Sequence, residues 1–116
     1  MRRLAILALL LPAAVLADPP DITEVETTGS GWRFDVTIAH PDTGWDHYAD
    51  GWRVELADGT VLGFRELFHP HVEEQPFTRS LAGVMIPDGV TRVFVRARCN
   101  VDGWNETTQA VDLPAG

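Results

Sequence analysis

Arg92-Val93-Phe94-Val95-Arg96-Ala97-Arg98-Cys99 alternates with a period of two. Val93, Val95, Ala97 and Cys99 fall on one face, and the arginines with Phe94 fall on the other. That pattern is the signature of a strand with one buried and one solvated face. Two other segments repeat it. In Trp32-Arg33-Phe34-Asp35-Val36-Thr37-Ile38 the even positions are apolar and the odd ones polar. Trp52-Arg53-Val54-Glu55-Leu56 follows the same rule. Weaker strand signals cover residues 22–28, 60–66, 78–86 and 107–113. Turn residues separate them: Gly29-Ser30-Gly31, the hairpin pair Asp58-Gly59, Pro87-Asp88-Gly89 and Asp102-Gly103. No amphipathic helix and no internal repeat stand out.

These segments predict an all-β fold, a seven-strand antiparallel β-sandwich with strands A, B, C, C′, E, F and G in chain order. The stretch from Gly89 to Gly103, in which an alternating Val-Arg-Ala run leads to Asn100 and Gly103, resembles the F strand and F–G turn of fibronectin type III domains. The resemblance implies an immunoglobulin/fibronectin type III-like sandwich. Two features depart from that pattern: Val93 or Phe94 stands where the family carries a tyrosine, and the C′–E connection is long.

Residues 1–17 read as a signal peptide. Arg2 and Arg3 make a basic start, Leu4 to Leu11 an apolar core, and Val15-Leu16-Ala17 a cleavage site of small residues. The apolar run is too short to span a bilayer, and no second run exists. An uncleaved anchor is the competing reading. Residues 18–116 then form one domain of about one hundred residues, a typical single-domain size. Loss of Arg2 and Arg3 moves the formal charge from −8 to −10. Such acidity disfavours nucleic acid and anionic lipid and suits cations. The expected setting is periplasmic or secreted, with no membrane span after leader cleavage. Cys99 is the sole cysteine, so no internal disulfide forms. Its inward parity reads first as a buried core thiol.

The chemistry-bearing residues are the four histidines, His40, His47, His69 and His71. Antiparallel strand order brings the B–C, C′–E and F–G connections to the same end, which gathers all four there. His69-x-His71-x-Glu73 places three donors on one face of an extended segment. His47, His69 and His71 are the leading metal ligands, with His40 in reserve, and Asp46 or Asp50 as ligands or supports. Nitrogen-rich sets suit copper or zinc, and Cys99, were it to join, would favour Cu(I) or Zn(II). The late Cys, His, Met run of blue-copper proteins is absent. Structural histidines that merely shape their loops are an equal reading. The same two stretches, with Trp45-Asp46-His47-Tyr48-Ala49-Asp50 and His69-Pro70-His71, also resemble a group of small exported bacterial proteins without an assigned activity.

Catalysis has little support. Ser30 and Ser80 lie in no G-x-S-x-G turn, and Glu73 and Glu74 point to opposite sides of an extended chain. The reading is a non-enzymatic exported protein that binds copper or zinc for storage, delivery or sensing. The alternative is a metal-free recognition module whose loop aromatics contact a protein or glycan. In that alternative Trp45, Tyr48 and Trp104 supply contacts, while Trp52 belongs to the core.

Overall fold

The computed structural model describes residues 18–114, and the expected signal peptide at 1–17 lies outside them. The chain is a β-sandwich of two antiparallel sheets. In chain order the strands are β1 (Asp21–Thr28), β2 (Arg33–Ala39), β3 (Ala49–Glu55), β4 (Val61–Glu66), β5 (Phe77–Leu81), β6 (Arg92–Cys99), β7 (Gly103–Trp104) and β8 (Gln109–Asp112). One sheet is ordered β1-β2-β5. The other runs β4-β3-β6, with both β7 and β8 paired to the far side of β6. The two sheets hold A, B, E and C′, C, F, G respectively, an arrangement compatible with the immunoglobulin-like resemblance. No helix among the described residues is long and apolar enough to cross a membrane.

Alternation in the sequence becomes the interior. Phe34, Val36 and Ile38 of β2 face Trp52 and Val54 of β3 and Val93, Val95 and Ala97 of β6, all without exposed surface. Burial of this kind is the dominant favourable contribution to folding a domain this small. Three elements differ from the period-two reading. The strand expected from Trp52 begins at Ala49, because a bulge between Ala49 and Gly51 turns Ala49 and Trp52 to the same side. The strand expected over 78–86 ends at Leu81, and Gly83 turns the chain at φ +71°. The last expected strand, over 107–113, appears as β8, and the short β7 at Gly103–Trp104 is added where the sequence offered only the Asp102-Gly103 turn, which gives eight strands where seven were expected.

The outer faces carry charge. β1 lies at a sheet edge, with Asp21, Glu24 and Glu26 exposed. On the other sheet, Arg53 lies 4.0 Å over the Trp104 ring and Arg98 5.2 Å from it. Arg53 and Arg96 both donate to Glu55, which is only 2% exposed.

The Asp58-Gly59 turn closes β3 onto β4. Leu56 N–H donates to Thr60 C=O and Gly59 N–H to Leu56 C=O, each at 2.9 Å. Gly59 sits at φ +92°, where a Cβ is strained. Gly59→Ala is therefore expected to cost about 1 kcal/mol in urea unfolding. A loss indistinguishable from zero would show that the turn relaxes freely.

Candidate metal centre

His40 follows directly on β2 and continues its inward parity beyond Phe34, Val36 and Ile38. Cys99 is the last residue of β6 and completes the inward series Val93, Val95, Ala97. The two residues thus crown the inner faces of opposite sheets. The third member, His47, comes from the connection between β2 and β3. A tight turn folds that connection back, with Thr43 N–H donating to His47 C=O (3.0 Å) and His47 N–H to Gly44 C=O (3.2 Å). Asn100, next to Cys99, clamps the far side of the turn. Its N–H donates to Tyr48 C=O (3.1 Å), and its side-chain oxygen accepts from Tyr48 N–H (2.9 Å).

One ring nitrogen of His40, one of His47 and the Cys99 sulfur lie within 4.8 Å of one another. The two imidazoles meet edge to face with centroids 4.8 Å apart. Nε2 of each is buried and has no hydrogen-bond partner. Buried polar atoms are almost always paired, and an orphan costs about 1–3 kcal/mol. A point within about 2.8 Å of all three donors exists, against the ~2.0–2.3 Å of zinc–nitrogen and zinc–sulfur bonds, so modest side-chain rotation closes the set.

Asp42 organises this group from behind. Its side chain has no exposed surface. Oδ1 accepts from His40 Nδ1 (2.5 Å) and from Ala49 N–H (3.0 Å), and Oδ2 accepts from His71 N–H (2.8 Å). With Nδ1 engaged by this carboxylate, Nε2 is the ring nitrogen of His40 that has no protein partner, as in a metal-binding imidazole supported from behind. At the sulfur, Asp102 N–H donates to Cys99 Sγ (3.3 Å). Burial pushes the Cys99 thiol pKa up, the backbone N–H groups of Asp102 and Val101 pull it down, and the Asp102 carboxylate, 3.6 Å from the sulfur, raises it further.

The other two histidines form a second pair in the connection between β4 and β5, with ring centroids 4.7 Å apart. His69 is exposed, and its Nδ1 donates to Pro70 C=O (3.1 Å). His71 is buried and stacked on Phe77 at 3.9 Å. Arg79 donates to His71 Nε2 (2.8 Å), which leaves the proton on Nδ1. Burial first, then the Arg79 charge, lowers the His71 pKa below the ordinary imidazole value. His71 reaches the first group only through Asp42. All four histidines therefore meet at one end, as two pairs joined by a carboxylate, and Cys99 stands with the first.

Asp46 is exposed on the turn, and Asp50 pairs with Arg98 at 2.9 Å. The supporting carboxylate is Asp42, which sequence reasoning passed over. Its signal was the spacing His40-x-Asp42 directly after an alternating strand.

No family model matches the chain, and no solved structure matches it. The chain is similar to a protein of Halomicrobium mukohataei named "Putative lipoprotein", with 40% identity over 100 residues. The matched region is 86% of this chain and 49% of that protein, so the chain spans about half the length of the relative.

Proposed function

We propose that the chain is an exported, non-enzymatic protein that binds a transition-metal ion, copper or zinc, through His40, His47 and Cys99, for storage, delivery or sensing. The observation that carries this reading is twofold: His40, His47 and the buried Cys99 bring three ligand atoms within 4.8 Å of one another, and each of these imidazoles has a buried Nε2 without a hydrogen-bond partner. An ion relieves both orphans at once, and the carboxylate behind His40 is the usual support of a metal-bound imidazole. The relative's name, which speaks of a lipoprotein, supports an exported setting, as does the leader expected at residues 1–17.

Elemental analysis of purified protein, followed by titration with Cu(I), Cu(II) and Zn(II), tests the reading. One ion per chain is expected. Cys99→Ser and His47→Ala should each weaken binding about a hundredfold or more, whereas His69→Ala should leave it within about threefold. Protein that takes up no metal, or variants at Cys99 and His47 that bind as wild type does, would overturn it. Binding lost in His69→Ala instead would move the site to the second histidine pair.

One observation favours the alternative of a recognition module: Trp45 and Phe68 are each 66% exposed on connections at the same end. Metal-free protein whose Trp45 fluorescence responds to oligosaccharide would support it.

A further inference from the structure

We infer that the ion is copper and that the centre carries single electrons, an inference that rests on the metal-binding reading above. The donor set is two imidazole nitrogens and one thiolate. That trigonal set, with at most a weak fourth contact, serves both Cu(I) and Cu(II). Zinc keeps four ligands, the fourth being a protein donor or water. Among the described residues, His40, His47 and Cys99 alone bring histidine, cysteine or carboxylate ligand atoms within 4.8 Å of one another here; Asp102 Oδ2 lies 3.6 Å from the sulfur but is outside that group, and it accepts from Asp18 N–H. Both oxygens of Asp42 are already occupied by His40, Ala49 and His71. Met85, a thioether that could complete a copper set, is 82% exposed on the β5–β6 connection. Water has poor access as well, since Nε2 of both imidazoles is buried. The donors come in the order His40, His47, Cys99, so the set is assembled without the late Cys, His, Met run.

The frame also suits a centre whose geometry stays constant as its charge changes. His40 and Cys99 are anchored at the ends of strands in opposite sheets. Asp42 fixes the ring of His40, and Asn100 ties the His47 turn to the residue after Cys99. The N–H of Asp102 on the sulfur draws density from the thiolate, which is one of the ways proteins set a copper potential. His47 is the one partly exposed residue of the three, so the electron's shortest route to the surface runs through it. The step balances simply. Cu(II) bound to the thiolate takes one electron from a one-electron donor, such as ascorbate or a reduced metalloprotein, and becomes Cu(I). No bond is made or broken and no proton moves. A one-electron acceptor, such as ferricyanide or an oxidised metalloprotein, reverses it.

The test loads reduced full-length protein with one equivalent of Cu(I) without oxygen, then oxidises it with ferricyanide. The expected result is an intense visible thiolate-to-Cu(II) band that ascorbate bleaches and ferricyanide restores over repeated cycles, with copper retained. Cys99→Ser should lower that band about tenfold or more. The wild-type spectrum decides the question even if Cys99→Ser does not fold. Copper that binds but gives no such band, or is released at the first oxidation, overturns this inference and leaves metal binding standing. So does zinc that displaces Cu(I) at equal concentration. Protein that binds neither copper nor zinc overturns both.

Discussion

Asp42→Ala is expected to destabilise the protein by about 3–5 kcal/mol, because it strips three buried donors of their acceptor at once. Those donors are His40 Nδ1, Ala49 N–H and His71 N–H. They belong to three different stretches: the end of β2, the start of β3 and the β4–β5 connection. A loss of that size is a large share of the ~5–15 kcal/mol that holds a domain of this kind folded. Urea unfolding measures it, and a shift below about 1 kcal/mol would show that water takes the place of the carboxylate. Metal affinity should fall as well, about 10–100-fold, because His40 loses the partner that selects its tautomer. Asp42→Asn separates the two effects. It keeps one acceptor oxygen and the volume but sets an N–H₂ against a buried donor. Affinity unchanged in Asp42→Asn and Asp42→Ala would remove Asp42 from the site while leaving its structural role intact.

The second large effect lies at the last residue of β3. Glu55 accepts from Arg53 Nε (2.6 Å), Arg96 Nε (2.8 Å) and a second Arg96 nitrogen (3.2 Å). Glu55→Ala leaves two guanidinium groups facing each other without a counter-charge and is expected to cost about 3 kcal/mol. The pH dependence carries the sign. The Arg96 hydrogen bond, followed by that of Arg53, lowers the Glu55 pKa below its ordinary 4.5 against the opposing cost of burial. Its contribution is therefore complete above about pH 4.5 and disappears as pH falls through the lower, folded-state value. Unfolding measured from pH 7 down to pH 3 should show a decline in wild type that is shallower in Glu55→Gln. Parallel curves for the two proteins would assign the acid sensitivity to other carboxylates, such as Asp35, whose pKa is lowered by Ser80 and Arg33.

How far the sequence could be read depended on what each residue's neighbours were. β2 and β6 were legible because every second side chain enters the same interior, so polarity reports direction. The Asp58-Gly59 turn was legible because its chemistry is local. The start of β3 was not, since the bulge at Ala49 breaks the two-residue rhythm on which the reading relies. The gathering of four histidines at one end followed from antiparallel order alone. Their division into pairs did not, because it depends on pairing across the sandwich. His40 meets Cys99 only because β2 and β6 pack face to face, a relation that no spacing along the chain encodes. The His69-x-His71 spacing assumed an extended segment, whereas residues 67–76 form no strand, and His71 is held by Phe77, Arg79 and Asp42. Cys99 is buried, as its inward parity requires. Its nearness to two imidazoles comes from where the core ends.

The acidic border of β1 has a bearing on life at high concentration. An unpaired strand margin is a template on which a second molecule can extend the sheet, and such growth leads to fibres. Here two copies meeting along that margin would press the row Asp21, Glu24 and Glu26 against its own image. Mutual repulsion keeps crowded molecules apart at neutral pH, and acid or strong salt would remove that protection.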